Sequence, residues 1–196
     1  MYNVRTLRKA GPMSDRYPET LHRSTVARSR LFRIEAVGLR FGNGVEVEYE
    51  RLGGSAAGAV LVVPVTARGE VLLIREYAAG TECYELGLPK GRVEPGEDPL
   101  RAANRELMEE VGYGAEALTV LRSVTLAPAY FSHRTQLILA EGLFEHRLPG
   151  DEPEPIEVVP WPLGELERLL GQSDLTEARS ITALYLARDH LAGRAA

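Results

Sequence analysis

The order of patterned segments predicts an α+β fold, a mixed sheet between helices, with a small β-hairpin domain in front of it. Three observations carry that expectation. Alternating runs around an Asn-Gly turn begin the patterned part of the chain, and nearly continuous apolar strands follow. A single capped helix then interrupts the strands, and two further helices come after them.

Each element has its own warrant. Leu31–Phe41 and Val45–Arg51 flank Gly42-Asn43-Gly44, and alternation around Asn-Gly is a strong hairpin signal. Gly53, Gly54 and Gly58 lead into Ala59–Thr66, an apolar strand that turns through Ala67-Arg68-Gly69-Glu70 into Val71–Tyr77. Thr81–Leu86 reads as the next strand. Asp98 is a natural N-cap, Pro99 suits the first helical position, and Gly112 is a natural stop, so a helix is expected over Pro99–Val111. At about 100° per residue, Leu100, Ala103, Leu107 and Val111 share one face of that helix. Ala117–Leu126, Thr135–Ala140 and Ile156–Val159 read as strands, and Leu148–Pro155 as an acidic, proline-rich loop. Pro162–Leu170 and Leu175–Leu191 read as helices, the second placing Ile181, Leu184, Tyr185 and Leu191 on one side.

At 196 residues the chain is long enough for one domain with a small appendage, and 44% hydrophobic with 26% charged residues is an ordinary globular balance. No apolar run reaches membrane-spanning length and the N-terminus has no secretory apolar core, which gives the expectation of a cytoplasmic protein that engages no membrane. The net charge of −5 is uneven: residues 1–33 hold eight Arg or Lys against two acids, a local +6 that leaves −11 elsewhere. Residues 1–24 show no periodic apolar pattern and read as a flexible basic leader, not as a nucleic-acid arm. The single cysteine, Cys83, rules out an intramolecular disulfide and reads as a small half-buried strand residue.

The densest signal is GRVEPGEDPLRAANRELMEEVGY, Gly91 to Tyr113. Gly91 is followed after five residues by Glu97, and seven residues later by Arg105-Glu106-Leu107, then Glu109-Glu110, Gly112 and Tyr113. With residue types at roughly 5–10% each, a chance match to seven such positions is on the order of one in a million. On a helix Glu106, Glu109 and Glu110 fall on one face with Arg105 at its edge, and like charges at that spacing are unfavourable. Three glutamates alone would read as a solvated acidic face. In this frame they point to a hard divalent cation, because Mg²⁺ takes carboxylate oxygens and shares them with phosphates.

This spacing resembles the Nudix box without substitution. The blocks VARSRLFRIE, IREYAAGTECYELGLPKG, ANRELMEEVGYGA, APAYFS and GDEPEP extend the resemblance to the ADP-ribose pyrophosphatase group of Nudix hydrolases, and within it to the bacterial ADP-compounds branch. The resemblance implies a Nudix α/β/α sandwich over residues 57–196, with residues 25–56 as an N-terminal β subdomain that pairs with a second subunit, so that a homodimer completes the active site. It implies Mg²⁺-dependent (or Mn²⁺-dependent) hydrolysis of the pyrophosphate in ADP-ribose, NADH or diadenosine triphosphate, with water attacking phosphorus and AMP released. A nucleotide-sugar pyrophosphatase of the GDP-mannose type, or a nucleotide sensor that does not cleave, are the alternatives.

The same resemblance assigns residues. Glu106 and Glu110 become the principal metal ligands, Glu109 shares metal or water, and the backbone carbonyl of Lys90 is a further ligand. Gly91, Glu97 and Gly112 are structural in the motif, with Glu97 orienting the loop. Arg105 is expected to orient Glu109 through a bidentate ion pair. In the GDEPEP loop Glu152 is the candidate general base and Glu154 an additional metal ligand, in either order. For substrate, Arg75 suits a phosphate or ribose, Glu85 accepts from ribose hydroxyls, and Tyr130, Phe131 and Ser132 form a loop suited to packing on the nucleotide. His133 is read as structural.

Overall fold

In the computed structural model, residues 17–54, 58–150 and 152–194 are described. They form two compact units, one running to Gly54 and including Ala129–Ser132, the other made of the remainder. The leader expected over residues 1–24 lies outside the described residues up to residue 16.

The smaller unit is an antiparallel sheet of β1 (Glu19–Arg28), β2 (Arg33–Arg40) and β3 (Glu46–Leu52), in that order. The Asn-Gly signal is realised as the β2–β3 turn: Gly44 has φ +82°, its N–H donates to the Phe41 carbonyl at 2.8 Å, and the Asn43 side chain accepts from Val45 N–H at 3.1 Å. β1 was not expected, and it starts at Glu19, inside the stretch read as leader. All ten of its residues are exposed, so it carries no apolar alternation by which a strand is read. Glu35 sits between Arg33 and Arg51 at 2.8 and 3.0 Å, and the hydrogen bond from Arg51 holds its carboxyl below the usual range. Tyr130 and Phe131 belong to this unit: Leu52 N–H donates to the Tyr130 carbonyl at 2.8 Å, and Leu52 bridges Phe131.

The larger unit is an α/β/α sandwich. One sheet runs β7 (Lys90–Arg92), β4 (Ala59–Pro64), β9 (Arg134–Glu145), β8 (Tyr113–Thr125), with β4 and β9 parallel and the other pairs antiparallel. A second, antiparallel sheet runs β10 (Glu157–Pro162), β5 (Glu70–Ala78), β6 (Cys83–Gly87). Side chains alternate across β4, β5 and β9. Leu61, Val63, Leu73, Leu137 and Leu139 pack with Leu166 and Leu169 of α2 (Leu166–Leu170) and Leu184 of α3 (Ala178–Arg194). Val60, Val62, Leu72, Ile74 and Ile138 pack with Ala102, Ala103 and Leu107 on the other side, under α1 (Pro99–Glu106). Strands apolar on both faces are what such a double core requires.

The departures from expectation are local. The helix of the box is α-helical only to Glu106, and Leu107–Val111 forms one π-turn closed by Gly112 N–H on the Leu107 carbonyl at 3.1 Å. Periodicity at 100° cannot distinguish the two, and π-turns concentrate at functional sites. β7 has three residues and no alternation to read. The helix expected from Pro162 is delayed, because β10 stays paired with β5 as far as Pro162 and a 3₁₀ turn over Leu163–Glu165 precedes α2. α3 starts at Ala178 instead of Leu175, where the Glu177 carboxylate accepts from the N–H groups of Arg179 and Ser180 at 3.2 and 2.8 Å. Tyr185 is exposed, stacked under Arg188 at 4.9 Å, and does not join Leu184 in the core. Cys83 is also exposed, in place of the half-buried position expected. No described helix is long and apolar enough to cross a membrane.

Candidate active site

α1 is positioned by its own cap. The Asp98 carboxylate accepts from Leu100 and Arg101 N–H at 2.9 and 3.2 Å, and Pro99 occupies the first turn, where no N–H is needed. This fixes the rotation of the helix, so that Ala102, Ala103 and Leu107 enter the core and Arg105, Glu106 and Glu109 face the end of β7.

Arg105 is the hub. Nε and Nη2 donate to the two oxygens of Glu97 at 3.0 and 3.2 Å, Nη1 donates to Glu106 at 2.8 Å and Glu109 at 2.9 Å, and Nη2 also reaches the Arg92 carbonyl at 3.0 Å. The bidentate partner is therefore Glu97, not Glu109 as expected; Glu109 receives a single bond. Hydrogen bonds from Arg105 hold the Glu97 carboxyl below its usual range, and Glu97 also accepts from Glu94 N–H at 2.9 Å, which ties the turn before the helix.

Glu110 is in the opposite condition. Only 5% of it is exposed, and among the described residues it accepts one hydrogen bond, from Lys90 N–H at 2.8 Å. Burial pushes its carboxyl up to about 8, Glu106 and Glu76 push in the same direction, and Lys90 opposes them. Glu106 is raised as well, first by burial, with Glu109 and Glu152 adding to the effect against Arg105. Gly91 is required between them, since a Cβ there would land on the Glu106 carboxylate.

These residues line a cavity of about 570 Å³ together with Glu76, Lys90, Arg92, Glu94, Pro149, Gly150 and Glu152. Glu152 thus shares the cavity with the box. Glu154, expected as an additional metal ligand, does not: it lines a neighbouring cavity and accepts from the Tyr84 hydroxyl at 2.6 Å. Arg75 is tied to Glu157 at 2.8 Å and Asp174 at 2.9 Å, which consumes the charge proposed for a phosphate. Glu85 accepts from the Thr176 hydroxyl at 2.8 Å and lines a third cavity of about 340 Å³ with Ile74, Tyr77 and Leu86. His133 lies beside Thr135, and burial holds its imidazole below the usual range.

Sequence reasoning missed Glu76 and Glu94, because neither occupies one of the fixed positions of the motif. Among the described residues no three His, Cys, Asp or Glu side chains already converge as a ligand set, Glu106 and Glu109 being turned to Arg105. The donor set nonetheless suits a hard divalent cation. It is all carboxylate oxygen, and a buried carboxylate with one hydrogen bond lacks the countercharge such an ion supplies.

Comparison with known proteins gives the family. The NUDIX domain family matches residues 56–183, and the NudE-type Nudix hydrolase N-terminal domain matches residues 18–51. The chain is similar to ADP compounds hydrolase NudE of Escherichia coli (strain K12), 49% identical over 90% of this chain and 95% of that one. It is 28% identical to an ADP-ribose pyrophosphatase of Bacillus subtilis (strain 168), over 85% and 92%. The crystal structure of an ADP compounds hydrolase superposes with a TM-score of 0.87 at 48% identity, covering 93% of this chain and 98% of the other.

Proposed function

This chain belongs to the Nudix hydrolase family, and from that premise we propose that it hydrolyses the pyrophosphate linkage of ADP-linked compounds: ADP-ribose, NADH and diadenosine triphosphate. Water attacks phosphorus and AMP is released. The observation that carries the reading is the near full-length similarity to an ADP compounds hydrolase, joined to a cavity in which the box carboxylates and Glu152 meet.

Glu106 and Glu110 would hold Mg²⁺, with Mn²⁺ as a substitute, and Glu109 and the Lys90 carbonyl complete the protein's share. Bound there, the ion neutralises phosphate charge and polarises water. Arg105 holds Glu106 and Glu109 in place while Glu97 braces its other edge. Glu152 serves as general base, taking the proton of the attacking water. Its carboxylate occupies space that a Cβ at position 150 would fill, so Gly150 leaves it room in the cavity. We also propose a homodimer through the N-terminal sheet, where Leu21, Val26, Val47 and Tyr49 are exposed and a second subunit would cover them. Sizing chromatography that returns a monomer would remove it.

The test is incubation with ADP-ribose, NADH, diadenosine triphosphate and GDP-mannose, with and without Mg²⁺, and chromatographic identification of the products. Metal-dependent AMP from the adenine compounds is expected. Turnover of GDP-mannose alone would keep the catalyst and overturn the substrate.

A further inference from the structure

The carboxylate cavity contains an electrostatic conflict. Glu76, Glu94, Glu106, Glu109, Glu110 and Glu152 line it, and a diphosphate carries charge of the same sign. Three cationic residues line it too. Arg105 has five N–H donors, and all five are committed: one from Nε to Glu97, two from Nη1 to Glu106 and Glu109, two from Nη2 to Glu97 and the Arg92 carbonyl. Arg92 is exposed and lines the carboxylate cavity but not the more apolar one beside it. Lys90 differs from both. Its Nζ donates to Glu76 at 2.7 Å, which leaves two of three N–H groups for another acceptor. Its side chain is about one-third exposed, and the residue lines both the carboxylate cavity and the more apolar one beside Ile74, Tyr77 and Leu86.

We propose that the Lys90 ammonium binds the phosphate chain of the substrate where the two cavities meet, and that Glu76 holds it there in the absence of substrate. The inference rests on the hydrolase reading only in requiring a diphosphate. The phosphates lie at the carboxylates, the group attached to them extends toward the apolar cavity, and Lys90 spans the junction. Phosphate oxygens then satisfy the free N–H groups, and Glu76 keeps or yields its bond according to the charge of the chain. Lys90 is a binding residue in this assignment; its backbone N–H to Glu110 is a separate contact.

Substitution of the side chain leaves that backbone in place, so the two roles separate. Binding of imidodiphosphate, a diphosphate that carries no nucleoside, is measured calorimetrically with Mg²⁺ present, and Mn²⁺ binding alone is followed by paramagnetic resonance. Lys90→Met is expected to weaken imidodiphosphate binding about tenfold, the scale of one hydrogen bond to a charged group, with Mn²⁺ binding no weaker, since a like charge beside the ion has been removed. Lys90→Arg should stay within about threefold of the wild type. Glu76→Gln should bind imidodiphosphate at least as well as wild type, since a like charge is removed and Lys90 is released. A pair that serves structure alone predicts something different, namely that Lys90→Met and Glu76→Gln act alike; that result overturns the proposal. So does wild-type binding in Lys90→Met, or no binding of imidodiphosphate by the wild type. A wild type that binds imidodiphosphate yet hydrolyses no ADP-linked compound overturns the substrate reading and leaves Lys90 in its role.

Discussion

Beside Arg105, Glu97 is richly provided with hydrogen bonds, whereas further along the same segment Glu110 is nearly without them. Glu97 has two bonds from the guanidinium and one from a backbone N–H, and its carboxyl is held low. Glu110 has one bond and almost no solvent, and its carboxyl is held up near 8. The same side chain therefore performs two tasks within fourteen positions of sequence. Near Arg105 it stiffens the frame. In the floor of the cavity it is kept short of countercharge, and a site kept short of countercharge binds a cation well. The two regions should respond in opposite directions when perturbed.

The largest effect belongs to the floor. Glu110→Gln keeps an oxygen that can accept from Lys90 N–H but removes the charge, and should lower kcat/KM by about a thousandfold, the loss of several kcal/mol of metal-dependent stabilisation. The same variant should be more stable than the wild type in chelator, by about 3–6 °C in Tm near neutral pH, because a carboxyl that must be protonated to be buried has gone. Calorimetry on the metal-free proteins checks this. A metal-free Glu110→Gln that melts below the wild type would place Glu110 with the frame.

Next is Glu152→Gln, expected to lower kcat about a hundredfold with Mn²⁺ binding retained, as removal of a general base requires. Turnover near the wild-type value would dismiss Glu152 from the chemistry. Arg105→Ala belongs to the frame and should destabilise by about 1–3 kcal/mol, since buried or half-buried carboxylates lose their donor. Urea unfolding with an unchanged m-value would register it.

The pH dependence sets the two regions against each other directly. A carboxyl whose folded pKa is raised makes the folded state bind more protons, so stability falls as pH rises from the ordinary value near 4.5 toward about 8. Glu97, lowered, contributes stability that is present above the ordinary value and lost as pH falls. Metal-free protein should therefore lose stability between about pH 5 and 8 relative to Glu110→Gln, and Mg²⁺ should abolish the difference. Parallel melting curves for the two proteins in chelator across that window would contradict the picture.

Legibility in the sequence followed the same division. The box, its cap at Asp98 and its stop at Gly112 were readable because each depends on a residue type at a fixed spacing, and so was the turn at Asn43-Gly44. The two-faced core was readable from the apolar runs of β4 and β5. The π-turn was not, because hydrophobic periodicity leaves the hydrogen-bonding partner undetermined; β1 was not, because a strand exposed along its whole length has no period to detect. Partner choice was the least legible part. Nothing in the spacing distinguishes Glu97 from Glu109 as the bidentate partner of Arg105, nor shows that Arg75 is consumed by Glu157 and Asp174, the second of these 99 positions away.

The smallest expected effect decides between two glutamates of one loop. Glu152 and Glu154 are separated by a single proline, and their sequence contexts are nearly the same. Their surroundings are not: Glu152 shares the cavity with Glu106 and Glu110, while Glu154 is exposed and accepts from Tyr84. Glu154→Gln keeps an acceptor for that hydroxyl and removes a charge outside the carboxylate cavity, so kcat should change by less than about threefold, in line with a solvent-exposed hydrogen bond. Steady-state kinetics of the two variants side by side carries the comparison. A Glu154→Gln enzyme as slow as Glu152→Gln would show that the loop moves when substrate binds and brings Glu154 to the box. A slow Glu154→Gln beside a normal Glu152→Gln would exchange the two assignments.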